Sequence, residues 1–319
     1  MKLKTKIKLG ALGVIGGVAA SVTLKKTLDG LVKTHLSSQG IQNPKANVMS
    51  KKNQNDFANS PEAILGTLFH VSAPQITITT PNRDGRYINA LLYNQNEETS
   101  KYAILVHGYR SQPKSLSYLA KHYFEAGYNV LVPYMRAHKG SDYEYSTMGW
   151  EERFDIIDWI GYIDSQIKNA HVVLHGVSMG AATVMMTTGE LLPPSVKCAI
   201  EDCGYTSVYD AYSYKIPKMM RLPAFPTVDI FGIAIKNRIG LDIRKASALE
   251  QVKRSSTPTL FIHGDLDSVV PVSMAYELYE SASCEKDILI VKHADHAMSP
   301  LIDPEKYWSK VWSFIDTYK

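Results

Sequence analysis

The stretch that decides the fold is His171-Val172-Val173-Leu174-His175-Gly176-Val177-Ser178-Met179-Gly180, which continues as Ala181-Ala182-Thr183-Val184-Met185-Met186. An apolar run leads into it, two glycines flank a serine, and a helix-like run follows. This order predicts a buried strand, a sharp turn and a helix. The turn requires glycines because side chains at those positions would clash with neighbouring backbone. Ser178 is therefore predicted to stand at the tip of the turn, above the end of a strand.

Further apolar runs extend the strand pattern on both sides of this stretch. Gln75 to Thr80 and Tyr87 to Tyr93 flank the turn signal Asp84-Gly85 and predict an antiparallel hairpin. The later runs are short and unbroken: Tyr102–Val106, Val130–Pro133, Val172–Leu174, Val196–Ile200, Thr259–Ile262 and Ile288–Val291. Helical patterns separate them, including Ser115–Ala126, Met148–Ile167 and Pro304–Tyr318. Strands that are apolar on both faces and alternate with helices predict an α/β domain with a doubly wound, mostly parallel sheet.

Two features set the expected limits of this domain. Ser60-Pro61-Glu62 has the residue types of a helix start, so a short helix is predicted from there through Phe69. The interval Tyr205–Ala248 lies between two strand runs and is rich in tyrosine, methionine, phenylalanine and proline. An insertion of this length in a compact domain is rarely bare loop. We expect a folded domain over residues 60–319, with an inserted cap at residues 205–248.

The N-terminus has the pattern of a targeting segment. Lys2, Lys4, Lys6 and Lys8 precede the uncharged apolar run Leu9–Leu24. The length of that run lies between a signal-peptide core and the roughly 20 residues that span a bilayer. Residues 1–24 are thus expected to be a signal peptide or a membrane anchor.

Both interpretations keep the lysines inside and export the rest of the chain. An uncleaved segment would give a single N-terminal anchor in the cell membrane, with the domain outside. Cleavage near Val18-Ala19-Ala20 would give a secreted protein. A third interpretation, a soluble helix, is disfavoured by the four glycines between positions 10 and 17. Residues 25–59 are polar and lysine-rich, and are expected to be a tether.

Charge and cysteine content exclude several classes of function. The net charge is +4, but ten lysines and one acid lie in the first 52 residues, so the remainder has more acidic than basic side chains. A nucleic-acid partner would require a basic face on the folded part. Cys198, Cys203 and Cys284 are too few for a disulfide framework, and no spacing of cysteine and histidine predicts a zinc site. No metal, cofactor or nucleic-acid partner is expected.

The hydroxyl of Ser178 would need two further side chains in order to react. A serine hydroxyl is a weak nucleophile at neutral pH and requires a histidine base that is oriented by a carboxylate. After a Gly-x-Ser-x-Gly turn in a sheet of this kind, the acid and the histidine follow in chain order beyond late strands. Asp267 follows the run Thr259–Ile262, and His296 follows Ile288–Val291. We predict that Ser178, Asp267 and His296 form a catalytic triad.

Each of the two partners has a neighbour that could replace it. Asp265 lies closer to its strand than Asp267, and a few loop residues are needed to aim a carboxylate at the histidine, so Asp267 is preferred. Asp295 is adjacent to His296, and loop aspartates commonly serve as turn formers. His293 lies too close to the strand end to be preferred over His296. His175 and His263 end apolar strands and are expected to be hydrogen-bonded core histidines.

A tetrahedral intermediate also needs donors for its oxyanion. One is expected to be the backbone N–H of Met179, directly after the serine. The other should come from the loop after Tyr102–Val106, where His107-Gly108-Tyr109-Arg110 stands. Gly108 lets the backbone approach closely. The N–H of Tyr109 is therefore the predicted second donor of an oxyanion hole.

These motifs together resemble the α/β-hydrolase superfamily, and in particular its bacterial serine-aminopeptidase-like and carboxylesterase-like members. The resemblance extends from Pro74 to Lys319. Its members often carry a loop of the type Arg-Gly-His-Gly-x-Ser after the next strand. This chain has Arg136-Ala137-His138-Lys139-Gly140-Ser141, in which a lysine interrupts the pattern. The role of that loop is left open by the sequence.

The resemblance implies a serine hydrolase that cleaves a carboxylic ester or related acyl bond of a small molecule, through an acyl-enzyme on Ser178. The same triad could serve a peptidase or an acyltransferase. The aromatic and methionine content of the expected cap favours an apolar acyl group. A surface binding module with an inactive triad is a further alternative from a different class.

Overall fold

The computed structural model describes residues 25–43 and 50–319, with only the backbone described for Met219 and Met220. Within these residues eight strands form one sheet in the order β1-β2-β4-β3-β5-β6-β7-β8. The strands are β1 Gln75–Pro81, β2 Tyr87–Tyr93, β3 Lys101–Val106, β4 Asn129–Pro133, β5 His171–Val177, β6 Val196–Asp202, β7 Thr259–Gly264 and β8 Lys286–Val291. Strand β2 is antiparallel to β1 and β4, and the remaining pairs are parallel. The predicted doubly wound, mostly parallel sheet with an N-terminal antiparallel hairpin is confirmed.

The helices alternate with these strands along the chain. Residues 25–36 form α1. The others are α2 Ser38–Ile41, α3 Lys51–Ala58, α4 Pro61–Ser72, α5 Ser117–Glu125, α6 Glu152–Gln166, α7 Met179–Thr188, α8 Val208–Met220, α9 Ala224–Ile239, α10 Ala248–Val252, α11 Val272–Ser281, α12 Ser299–Ile302 and α13 Pro304–Thr317. The predicted start of α4 is confirmed, since the Ser60 side chain accepts a hydrogen bond from the N–H of Ala63.

The sheet is covered on both faces because its central strands are apolar on both. In β3, Ile104 packs into the core on one face and Leu105 into the core on the other, and both are fully buried. The first core is completed by α6, α7 and α11, with Trp159 at its centre. The second is completed by α5 and α13, where Tyr307 is fully buried. Successive side chains of a strand point to opposite faces of the sheet, so each central strand contributes to both cores.

The interval of residues 205–248 contains α8 and α9, which pack against each other between β6 and β7. Helix α9 buries Val228, Phe231 and Ile235 in the core shared with α6 and α7. This apolar stripe explains why a segment inserted between two strands folds as helices rather than as a loop. We refer to this helical insertion as the cap.

The expectation of a tether over residues 25–59 is wrong for most of its length. Helix α1 places Val32 and Leu36, which are fully buried, in the same core as α6 and α9. Side chains four positions apart lie on the same face of a helix, so both can enter the same core. The lysine-rich composition concealed this because the lysines lie on the exposed face.

The expected targeting segment, residues 1–24, lies outside the described residues. In the part of the chain that is described, no helix has both the length and the apolar character needed to cross a membrane.

A single substitution distinguishes a packed α1 from a tether. We expect Leu36→Ala to lower the free energy of unfolding by about 2–5 kcal/mol, because it leaves a cavity in a closed core. Lys33→Ala, on the exposed side of the same helix, should change it by less than about 0.5 kcal/mol. Urea unfolding monitored by circular dichroism measures both. Equal midpoints for the two variants would contradict the packing of α1.

Candidate active site

The turn between β5 and α7 holds Ser178 in a strained backbone conformation. Its φ is +59° and its ψ is −119°, a region that residues with a side chain rarely occupy. A Cβ on Gly180 would lie 1.9 Å from the carbonyl oxygen of Val106, and one on Gly176 would lie 2.2 Å from that of Gly180. Both glycines are therefore required by close backbone approach. The predicted strand, sharp turn and helix are present as the sequence indicated.

A continuous chain of hydrogen bonds connects the three predicted triad residues. The Oγ of Ser178 lies 2.7 Å from Nε2 of His296. The Nδ1 of His296 lies 2.7 Å from Oδ2 of Asp267. When Nδ1 donates to the carboxylate, Nε2 is left free to accept the serine proton. Loops after β5, β7 and β8 supply the three side chains, because the carboxyl ends of these parallel strands share one edge of the sheet.

The carboxylate of Asp267 is fixed in position and in charge. Its Oδ1 accepts hydrogen bonds from the N–H groups of Val269 and Val270, each at 2.8 Å. Burial alone would raise the pKa of Asp267. The charge of His296, with hydrogen bonds from His263 and His296, outweighs burial and holds that pKa well below its ordinary value. The group therefore remains an anion that can orient and stabilise an imidazolium.

Asp265 and Asp295, the two alternative carboxylates, hydrogen-bond to the backbone of the loops after β7 and β8 instead. The Oδ1 of Asp265 accepts the N–H of His293 at 2.6 Å, which ties together the loops after β7 and β8. The Oδ1 of Asp295 accepts the N–H of Ser268 at 2.8 Å and that of His296 at 2.7 Å. His293 is exposed, and its imidazole lies outside the hydrogen-bonded chain.

The loop after β3 passes directly beside the serine. A Cβ on Gly108 would lie 3.2 Å from the Cβ of Ser178. The next residue, Tyr109, is the predicted second oxyanion donor. Met179, the first residue of α7, has no acceptor for its N–H one turn earlier in the helix. Two backbone segments that could donate to an oxyanion therefore flank Ser178.

Contacts from distant segments hold this loop in place. The hydroxyl of Tyr109 donates to the carbonyl of His35 in α1 at 2.6 Å. The N–H of Arg110 donates to Nε2 of His138 at 2.9 Å, and the Nδ1 of His138 lies 2.9 Å from the carbonyl oxygen of Arg136. The loop of residues 136–141 therefore holds the loop after β3 in place, although Lys139 interrupts the pattern that the sequence resembles.

Arg136 is itself anchored. It forms two hydrogen bonds to the carboxylate of Asp155 in α6, at 2.6 and 2.8 Å. A bidentate pair of this kind fixes the arginine in one orientation. Burial alone would lower the pKa of Arg136, but hydrogen bonds and charge from Asp155 raise it. The loop of residues 136–141 is therefore a rigid support.

Residues 114–318 match the family described as the prolyl oligopeptidase family. The chain belongs to this family. The match includes Ser178, Asp267 and His296, and it begins after the loop that contains Tyr109.

Two relatives are similar in sequence. The Bacillus subtilis protein YqkD, described as uncharacterized, is 29% identical over 222 residues, which cover 69% of this chain and 72% of that protein. A thermostable monoacylglycerol lipase of Bacillus sp. H-257 is 25% identical over 214 residues, covering 60% of this chain and 81% of that protein.

Solved structures show the same fold. An esterase of Pyrococcus furiosus superposes with a TM-score of 0.65 at 20% identity, covering 78% of this chain and 93% of that chain. An acylaminoacyl peptidase of Pyrococcus horikoshii gives a TM-score of 0.57 at 18% identity, covering 77% of this chain and 43% of that chain. The predicted membership of the α/β-hydrolase superfamily is confirmed, and this member of the prolyl oligopeptidase family is a serine hydrolase.

Sequence reasoning missed the role of His263. It was expected to be an ordinary core histidine, and it is fully buried, but its Nε2 lies 3.2 Å from the Oδ2 of Asp267 as well as 3.0 Å from the carbonyl of Val270. The carboxylate of Asp267 therefore contacts two imidazoles. The only local signal was spacing, since His263 lies near the end of β7, four residues before Asp267. His175 does match the expectation, with Tyr123 and Tyr307 hydroxyls at 3.0 and 3.1 Å.

Two further carboxyl groups lie buried at the end of β6. Burial raises the pKa of Glu201 to about 8, despite the opposing charge of His263 and a hydrogen bond from the N–H of Gly204. Burial likewise raises the pKa of Asp202 to about 6, although Tyr307 donates to it at 3.0 Å. Neutral or partly neutral acids are the expected consequence of desolvation without a full ion pair.

Cys203 lies beside the triad, and its Sγ, Asp267 and His296 are the one group in the described chain whose atoms are close enough to share a metal ion. Burial and the neighbouring charge of Asp202 raise the pKa of this thiol well above its ordinary value. A protonated thiol is a poor metal ligand. Asp267 and His296 are already hydrogen-bonded to each other, so the arrangement fits a proton-transfer site better than a metal site.

The raised pKa of Glu201 predicts a pH-dependent stability. Between pH 4.5 and 8 the buried group keeps its proton while the unfolded chain loses it, so stability should fall as pH rises through this window. We expect Glu201→Gln to remove the part of this fall above about pH 6, because Asp202, whose pKa is also raised, contributes to the fall below that pH. Relative to the unchanged protein it should gain a few kcal/mol at pH 8 and little at pH 5.

Denaturant unfolding at both pH values measures this gain. Glu277→Gln, at an exposed position of α11, is the control and should leave the pH dependence unaltered. The same pH dependence in the unchanged protein and in Glu201→Gln would show that the carboxyl group ionises freely in the fold.

Proposed function

We propose that the chain hydrolyses carboxylic esters of small molecules through an acyl-enzyme on Ser178. The observation that carries this proposal is the hydrogen-bonded chain from Ser178 through His296 to Asp267, with 2.7 Å at each step. Such a chain supplies a nucleophile, a base and an orienting carboxylate in reacting geometry.

The proposed reaction has two halves. The Oγ of Ser178 attacks the acyl carbon, while Nε2 of His296 takes the hydroxyl proton and then passes it to the departing alcohol oxygen. Water next attacks the acyl-enzyme, gives its proton to the same nitrogen, and releases the acid as Ser178 recovers its proton. In both halves the N–H groups of Tyr109 and Met179 stabilise the negative oxygen, and Asp267 stabilises the imidazolium.

Removing the nucleophile tests this proposal. We expect Ser178→Ala to lower the kcat for p-nitrophenyl butyrate by at least about 10³-fold, with a similar loss in His296→Ala, because the residues of a triad act as a unit. His293→Ala is the matched control, since that imidazole lies outside the hydrogen-bonded chain. Hydrolysis by Ser178→Ala at the rate of the unchanged protein would refute the proposal. Labelling by a fluorophosphonate probe should likewise require Ser178.

Peptide hydrolysis is the second candidate, and the match to the prolyl oligopeptidase family favours it. The same attack on an amide carbonyl would release an amine in place of an alcohol. Aminoacyl p-nitroanilides, assayed beside the p-nitrophenyl esters, separate the two candidates. A larger kcat/KM for the anilides would assign the site to peptides.

We also propose that the N-terminal segment holds the chain at the cell membrane with the hydrolase domain outside. The lysines at positions 2 to 8 and the apolar run Leu9–Leu24 support this. After fractionation of the producing cells, the full-length chain should stay with the membranes and be degraded by protease added outside. A shortened chain in the medium would instead support cleavage near Val18-Ala19-Ala20 and secretion.

A further inference from the structure

His263 stands on a strand, whereas Asp267 and His296 stand on loops. It is the last residue but one of β7, and in the sheet it is paired with Ile290 of β8. Its imidazole is fully buried. Asp267 follows four residues later in the loop after β7, and His296 lies in the loop after β8. The contact of His263 with Asp267 therefore connects the carboxylate to the rigid part of the fold.

The contacts of Nε2 indicate where His263 carries a hydrogen. This nitrogen lies 3.2 Å from Oδ2 of Asp267 and 3.0 Å from the carbonyl oxygen of Val270. Both neighbours are acceptors, so Nε2 must be the donor. The other ring nitrogen, Nδ1, is buried and has no hydrogen-bond partner in the described chain. We infer that the Nε2–H of His263 is shared between the carboxylate and a carbonyl of the same loop.

The two oxygens of Asp267 are held by different parts of the molecule. Oδ1 accepts the N–H groups of Val269 and Val270, which belong to its own loop. Oδ2 lies 2.7 Å from Nδ1 of His296 and 3.2 Å from Nε2 of His263. Without His263, the contacts described for Oδ2 would reduce to the one with His296. The loop alone would then oppose rotation of the carboxylate.

Acidic groups surround the two imidazoles. Glu201 of β6 is paired with Phe261 of β7, so its side chain lies on the same face of the sheet as that of His263, two residues further along β7. Burial alone would lower the pKa of His263, but the hydrogen bond and charge of Asp267, and then the charge of Glu201, raise it. The titratable groups facing the imidazoles are Glu201 and Asp202 at the end of β6, Cys203 directly after it, and Asp267 in the loop after β7. Positive charge on His263 is therefore favoured.

We propose that His263 is a positioning residue of the triad, whose Nε2–H holds Oδ2 of Asp267 towards His296 and limits the basicity of that imidazole. This inference deepens the proposed ester hydrolysis and rests on it. Two donors share the negative charge of one oxygen, so each is bound less strongly than a single donor would be. Asp267 can thus orient His296 without retaining the proton that must pass to the departing alcohol.

Loss of the donor at position 263 should move the pH profile of the reaction. We expect His263→Leu to shift the acid limb of kcat/KM for p-nitrophenyl butyrate to higher pH by about half a pH unit or more, because the carboxylate then attracts the His296 imidazolium alone. The plateau of kcat/KM should fall about tenfold, since Asp267 is held less firmly. His263→Asn should have the same two effects, because its amide is too short to reach Oδ2. This variant also keeps a polar group at the site if His263→Leu fails to fold.

A conservative variant and a matched control assign these effects to the hydrogen bond. His263→Gln should restore most of the profile, because its amide nitrogen can occupy the place of Nε2 and donate to Oδ2. His175→Leu is the control. It removes another fully buried histidine, whose ring nitrogens lie 3.0 and 3.1 Å from the hydroxyls of Tyr123 and Tyr307. The acid limb should stay in place in that variant, whatever the change in stability.

A measurement on the imidazoles separates failure of this inference from failure of the proposed function. In protein labelled with ¹⁵N in its histidine rings, NMR follows the nitrogens of His263 and His296 as the pH is changed, with signals assigned from His263→Gln and His296→Ala. We expect a hydrogen on Nε2 of His263 throughout the range in which the unchanged protein is folded. We also expect His296 to take up its proton at a higher pH in His263→Asn. Both results would support the inference even if no ester were cleaved.

Two results would overturn the inference. One is an Nε2 of His263 that carries no hydrogen in the unchanged protein, a measurement that requires no variant to fold. The other is an acid limb that stays in place in folded His263→Leu or His263→Asn. Ester hydrolysis that depends on Ser178 would in either case leave the proposed function standing.

Discussion

The close approach of Gly180 to the carbonyl oxygen of Val106 is the constraint on which the rest of the site depends. With 1.9 Å between that oxygen and the position of a Cβ, only glycine can follow the serine turn there. The contact presses the start of α7 against the end of β3, which brings Ser178 beside Gly108. The nucleophile and the proposed oxyanion donors are therefore placed by one backbone contact between neighbouring parallel strands.

Charge is distributed unevenly around this point. Behind the serine, at the ends of β6 and β7, lie the acids Glu201, Asp202 and Asp267, and burial leaves only Asp267 firmly ionised because two imidazoles contact it. Arg110, in the loop after β3, donates to the backbone carbonyl of Thr34.

The sequence was most informative where the physical cause is local. Unbroken apolar runs identified the strands, and the glycines around Ser178 identified the turn, because both follow from the backbone and its immediate neighbours. Asp267 and His296 could be chosen over their rivals from their distance past a strand end. The contact of His263 with Asp267 could not be foreseen, since it depends on how a loop folds back onto its own strand.

The N-terminal region shows the opposite case. Val32 and Leu36 are two apolar residues within a lysine-rich stretch, so composition indicated a tether although the spacing of four was compatible with a seated helix. Whether these two side chains are buried depends on the surface against which the helix packs. That surface includes cap helix α9, far away in sequence, where the ring of Phe231 lies 6.2 Å from that of His35. A tertiary contact of this kind overrides the compositional signal.

The hydrogen bonds from Tyr109 and Arg110 to the carbonyls of His35 and Thr34 tie the loop beside Ser178 to helix α1. His35 lies ten positions after residue 25, about 15 Å along a helix. A processing enzyme that cut near Val18-Ala19-Ala20 would leave these acceptors in the mature chain, whereas a cut within α1 would remove the backbone that supports the oxyanion loop. The loop beside Ser178 therefore depends on a segment that stands far ahead of it in the chain, because α1 supplies two of its hydrogen-bond acceptors.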